Sequence, residues 1–210
     1  MEEILKRNNF KTLLLFAFAV SGMTALIYEV VWTRPLQLIF GSTIYAVSTM
    51  LTTFMAGFVL GAFLFRNIAD RSKNPVMLFG FLELGIGLYG LVILSLFKIL
   101  PSMYLFLVGI PGFQFFQFAL AFIVLIFPAT LFGATWPVIH KAYAELNFIG
   151  RDSGRLYSFN SLGSMLGSLS AGFLLIPVLG IRSTSFLAVS LNFLIAAAIF
   201  IYARKNAEQN

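Results

Sequence analysis

The sequence predicts an all-helical, polytopic membrane bundle, and three observations carry that expectation. The chain of 210 residues is 60% hydrophobic and only 10% charged, with a mean hydropathy of +0.93, whereas globular proteins average about 25% charged residues. The charge deficit falls in apolar runs of about 20 residues, the length that crosses a bilayer. Lys and Arg gather at alternate ends of those runs. Helix is the economical form, because each backbone polar group must find its partner inside the bilayer and the runs lack the alternation of a membrane barrel.

Apolar runs and breakers divide the chain into a short N-terminal segment, 1–11, a transmembrane domain, 12–203, and a tail, 204–210. Six spans are expected, at 12–33, 43–65, 76–98, 114–139, 156–177 and 183–203. The first follows a basic N-terminus, as a signal peptide would, but runs on through Tyr28 and Trp32 without a small-residue cleavage site and reads as a retained span. The fourth contains Pro128 and Pro137 and should kink or extend beyond the membrane. With the N-terminus inside, eleven basic residues (Lys6, Arg7, Lys11, Arg66, Arg71, Lys73, Lys141, Arg151, Arg155, Arg204, Lys205) fall on the inner side, against Arg34, Lys98 and Arg182 outside. That bias places both termini in the cytoplasm and the chain in the cell inner membrane. The outer loop of any size, about 99–113, is apolar enough to lie in the interface, and no segment reads as a soluble domain.

The formal net charge of +6 fits anionic lipid headgroups better than nucleic acid, because the basic residues flank apolar runs. No nucleic-acid partner is expected. With no cysteine, disulfides, thiolate metal sites and Cys nucleophiles are excluded. One histidine without a nearby Asp gives little support to a hydrolytic triad. Neither a metal nor a cofactor is expected.

Small residues four apart let helices approach closely in lipid. Gly57 and Gly61 share a face of the second span, and Gly163 and Gly167 one of the fifth. They should mark helix contacts, within one subunit or between copies. ELGIGLYG, Glu83 to Gly90, looks on paper like a cofactor-binding glycine loop, but it sits inside an apolar run with no strand before it, so its glycines should thin a helix for packing.

Several ordered stretches, SGMTALIYEVVWTRPLQLIFGSTIYAVSTMLTTFMAGFVLGAF, IADRSKNP, PATLFGATWPVIHKA and GRLYSFNSLGSMLGSLSAGFLLIPVLGIR, together resemble the membrane region of the spermidine synthase-like transmembrane proteins. The resemblance spans about 20–200. It implies a bundle like half of a major facilitator transporter, often fused to a cytoplasmic aminopropyltransferase-like domain. It also implies polyamines as the substrate class, and a gating or helix-junction role for Asp70 and Arg71 in the short loop after the second span, beside the alternative of a topology charge and helix cap. The transferase does not carry over, since no stretch of these residues could form the synthase cofactor fold. Such activity would need a further domain or partner.

Intramembrane acids are functional candidates because burying them costs about 2.5–3.5 kcal/mol on insertion scales. Glu29 lies about 27 Å along the first span from Lys11. It is held at the outer boundary by Arg34 or a neighbouring helix, or it lines an outward-facing cavity. Glu83 lies about 12 Å into the third span, with no cation within one turn. It must face a cavity, find a partner on another helix or take up a proton. By these counts the two acids differ by about 15 Å in depth. Asn160 and Asn192 could add neutral ligands or simply join helices, as could Gln114 and Gln117. His140, Lys141, Arg151 and Arg155 form a cytoplasmic basic rim or ordinary topology charges.

Two functions are therefore expected as alternatives. One is a transporter-like module that binds or moves a small cation or polyamine, alone or as a homodimer. The other is a non-transporting anchor or assembly subunit for a cytoplasmic enzyme or a larger membrane complex.

Overall fold

The structure, a computed structural model, describes residues 2–105, 112–144 and 148–207. It is helical throughout: α1 (Glu2–Phe40), α2 (Thr43–Arg71), α3 (Pro75–Leu105), α4 (Phe113–Tyr143), α5 (Ile149–Ser170), a π-helical turn (Ala171–Leu175) and α6 (Ile176–Ala207). Among the described residues five helices are long and apolar enough to cross a membrane, the last being the continuous stretch Ile149–Arg204 of 56 residues. Their outer faces are apolar, with Ile44, Val59, Phe63, Leu166, Phe173 and Val178 exposed, as a multi-pass membrane protein requires.

Local sequence sets the breaks. Gly41 ends α1 in the left-handed region (φ 63), its N–H donating 3.0 Å to the Gln37 carbonyl, the usual glycine stop. The SKNP stretch starts α3: the Met77 N–H donates 3.0 Å to Asn74 Oδ1, and Pro75 occupies the first turn, where its missing N–H costs nothing. Gly180, at φ 79 and ψ 168, interrupts α6 with a conformation no helix contains.

Gly180 reverses the chain. Asn160 Nδ2 donates 3.0 Å to the Phe18 carbonyl and Ser164 Oγ 3.2 Å to the Gly22 carbonyl, each across 142 residues; this constant offset means that α5 runs parallel to α1. In contrast, Phe10 stacks on Tyr202 (centroids 4.9 Å apart) while Tyr28 reaches Asn192, so α6 runs antiparallel to α1. The same reading gives α3 antiparallel to α6, with Gly80 against Phe200 and Gly90 against Val189, and α2 parallel to α4, with Gly57 against Ala129 and Gly61 against Thr130 and Ala134. The N-terminal end of α1 thus meets the C-terminal end of α6, and α1 touches every other helix of the bundle.

Boundaries differ from expectation in physical ways. The segment 1–11 is helical from Glu2, so α1 continues well before the apolar run. The fourth helix is the exception: it runs through Pro128 and Pro137 for 31 residues, longer than a bilayer core requires, as one of the two expectations for it had it. The gap expected between the last two spans is helical on both sides of Gly180, which shortens the turn to a single backbone kink. In the expected outer loop 99–113, residues through Leu105 belong to α3, and 106–111 lie outside the described residues, as does the end of the tail, 208–210.

Glycines carry the closest approaches. Gly163 and Gly167 lie on the backbone of Ala19 and Met23, and Gly61 on that of Thr130 to Ala134, so near that a Cβ would overlap main-chain atoms. All four glycines singled out by spacing face a helix of their own chain. In ELGIGLYG, Gly87 admits the Phe193 ring and Gly90 the Tyr28 hydroxyl.

Candidate functional site

The site is built on three helices. Glu83 on α3 is completely buried, and α6 supplies the equally buried Asn192. Asn192 Nδ2 donates 2.7 Å to Glu83 Oε2 and 3.1 Å to Thr24 Oγ1, and the Tyr28 hydroxyl donates 3.1 Å to Asn192 Oδ1. Thr24 donates its own hydrogen 2.9 Å to the Ser21 carbonyl, which leaves a lone pair for Asn192. This network fixes the amide orientation, because only one assignment of N and O satisfies all partners. Asn192 is thereby saturated, whereas Glu83 Oε1 has no hydrogen-bond partner. The buried Ser21 hydroxyl faces the same carboxylate but makes no hydrogen bond to Oε1. No Lys, Arg or His forms an ion pair with Glu83 among the described residues. A desolvated carboxylate with one open oxygen is an incomplete arrangement that a cation or a proton completes.

Removing the phenol isolates one part of this network. Tyr28→Phe keeps the ring but leaves Asn192 Oδ1 unpaired, and is expected to lower thermal stability in detergent by about 1 kcal/mol with the helical content unchanged.

Beside the carboxylate lies a partly open cavity of about 280 Å³ between α1, α2, α4 and α5. Ser21, Thr135, Asn160 and Ser164 contribute its polar groups, and Phe18, Phe58, Phe132 and Trp136 its rings. Glu83 is not among its walls. Ser21 is the residue common to cavity and carboxylate.

The other residues singled out in the sequence fall elsewhere. Asn160 belongs to the cavity and to the α1–α5 contact, away from Asn192. Glu29 is half-buried on α1, outside both network and cavity. No ion pair joins it to the exposed Arg34 among the described residues, since a spacing of five turns the two to different faces. Gln117 is buried and Gln114 exposed, neither in the network.

At the end where Phe10 meets Tyr202, Asp70 and Arg71 are exposed and make no ion pair among the described residues. The charged junction there is centred on Asp152, which sequence reasoning passed over. Buried in the first turn of α5, it lies 3.7 Å from Lys11 Nζ on α1 and 3.3 Å from Arg151 Nε, and the Lys11 ammonium sits 5.2 Å above the Tyr143 ring. His140 Nε2 and Ser153 Oγ are 2.7 Å apart. Ser153 donates its hydrogen to the Ile149 carbonyl, so the hydrogen between them is carried by Nε2. Lys141, Arg151 and Arg155 are exposed around this junction. Asp152→Ala is expected to lower thermal stability by about 1–3 kcal/mol, and Lys11→Met by less because Arg151 remains; unfolding midpoints in detergent would rank them.

Among the described residues no group of three or more His, Cys, Asp or Glu is placed to hold a metal ion. The residues missed around Glu83 did leave a signal: Ser21, Thr24 and Tyr28 stand at helical spacing and form a polar stripe within an apolar run. Searches against protein-family models, curated proteins and solved structures return no match.

Proposed function

We propose that the chain is a six-span, transporter-like module of the cell inner membrane, with both termini cytoplasmic, that binds a small cation or polyamine at Glu83. The observation that carries the reading is the fully buried Glu83, held by Asn192 on one oxygen and unpartnered on the other. Intramembrane acids of this kind mark ion and substrate paths. Six crossings are supported by the alternating helix directions and by the length of the Ile149–Arg204 stretch, which at about 1.5 Å per residue far exceeds one bilayer. The cytoplasmic ends are supported by the eleven-to-three distribution of basic residues. Polyamines enter through the resemblance to the spermidine synthase-like transmembrane family, as does the likeness to half a facilitator. In such transporters two bundles enclose a midplane site, and the open side of the cavity is where a second copy would complete one.

The anchor reading is favoured by one observation, the exposed Lys141, Arg151 and Arg155 at a single end, which suit an acidic protein surface. Native mass spectrometry in mild detergent separates the two. A monomer or dimer that takes up spermidine stoichiometrically supports the module, and a stoichiometric soluble partner with no amine uptake supports the anchor.

A further inference from the structure

We infer that the cavity between α1, α2, α4 and α5 is a binding site for a compact organic ammonium ion, separate from the Glu83 carboxylate and joined to it through Ser21. The inference deepens the transporter reading and rests on it for its physiological meaning, but its test does not.

Hydrogen-bond roles around the cavity decide the ligand chemistry. The Thr135 hydroxyl donates 2.7 Å to the Phe132 carbonyl, the Ser164 hydroxyl 3.2 Å to the Gly22 carbonyl, and Asn160 Nδ2 3.0 Å to the Phe18 carbonyl. Each hydroxyl has one hydrogen, so what Thr135 and Ser164 offer a ligand is lone pairs. Asn160 Oδ1 accepts no hydrogen bond from the described residues and adds another acceptor. No Lys, Arg or His lines the space. The remaining walls are the rings of Phe18, Phe58, Phe132 and Trp136, whose faces attract cations. Acceptors and aromatic rings together suit a positively charged N–H donor, whereas a carboxylate would find no cationic side chain in these walls. The volume of about 280 Å³ is at the small end of ligand pockets and suits one ring or a short chain bearing one ammonium group. Ser21 both lines the cavity and faces Glu83, so it is the residue through which the two are joined.

Trp136 provides the readout. The chain has two tryptophans, and the Trp32 Nε1 makes no hydrogen bond, so Trp32→Phe leaves Trp136 as the sole indole without removing a polar contact. In full-length Trp32→Phe protein in lipid nanodiscs, 2-phenylethylammonium should change Trp136 fluorescence saturably. It should bind at least ~10-fold more tightly than 2-phenylethanol or 3-phenylpropionate, as expected for charge-assisted contacts. Ala62→Phe, which fills the cavity from α2, should abolish the signal. Thr135→Val, which keeps the shape and removes one acceptor, should weaken binding by about 5-fold. Equal binding of the neutral alcohol would make the space an acyl-chain slot and overturn the inference. So would binding that survives both Ala62→Phe and Thr135→Val, or the absence of a saturable signal. If Glu83→Gln abolishes spermidine uptake while 2-phenylethylammonium gives no signal, the cavity inference falls and the Glu83 reading stands. If the probe binds as described and Glu83→Gln leaves spermidine uptake intact, the reverse holds.

Discussion

Glu83→Gln should weaken spermidine binding to the purified protein by about 30–150-fold, the ~2–3 kcal/mol associated with a hydrogen-bonded charged group, while leaving the fold intact. Gln preserves the shape and an oxygen for the Asn192 Nδ2 hydrogen bond, so the network of Asn192, Thr24 and Tyr28 stays satisfied. What is lost is the negative charge and the open Oε1. Glu83→Ala removes more, because Asn192 then loses an acceptor in a buried site; it should also lower stability by about 1–3 kcal/mol. Calorimetric binding in nanodiscs, with circular dichroism as the control for fold, separates these effects. Equal binding by wild type and Glu83→Gln would remove the carboxylate from the site.

The glycine contacts give the other large effect. Gly163→Ala places a methyl group on the Ala19 carbonyl and Gly61→Ala one on the Thr130 carbonyl. Both obstacles are backbone in the middle of long helices and cannot rotate away. Each substitution should therefore force the helix pair apart at a cost of about 3 kcal/mol or more, seen as a loss of monodisperse protein or a large fall in unfolding temperature. Gly154→Ala is the matched control, since nothing lies within 4 Å of a Cβ added there. Its better helix propensity should leave the protein unchanged or stabilise it by about 0.5–1 kcal/mol. A similar response at Gly154 and Gly163 would contradict the packing.

Hydropathy made the helices legible because each run must satisfy its own backbone in lipid, and that constraint acts on composition alone. Spacing likewise exposed Gly57, Gly61, Gly163 and Gly167, whose faces depend only on helical period. Glu83 stood out because an acid without a nearby cation is conspicuous in a run of Leu, Ile and Gly. Its partners were not legible in the same way. That Asn192 rather than Asn160 meets Glu83 follows from α6 running back along α1, and the reversal depends on one positive φ at Gly180. Asp152 escaped notice because its burial is created by packing of α5 on α1, and nothing in GRDSGR marks it as more enclosed than Asp70.

As a transporter-like module, the proposed bundle would move the cation it binds by a path that needs the Glu83 carboxylate. Uptake of radiolabelled spermidine into proteoliposomes, measured for wild type and Glu83→Gln at equal reconstituted amounts, tests it most directly. Saturable uptake by the wild type that falls to the level of empty liposomes in Glu83→Gln is the expected result; uptake equal in both would contradict the account.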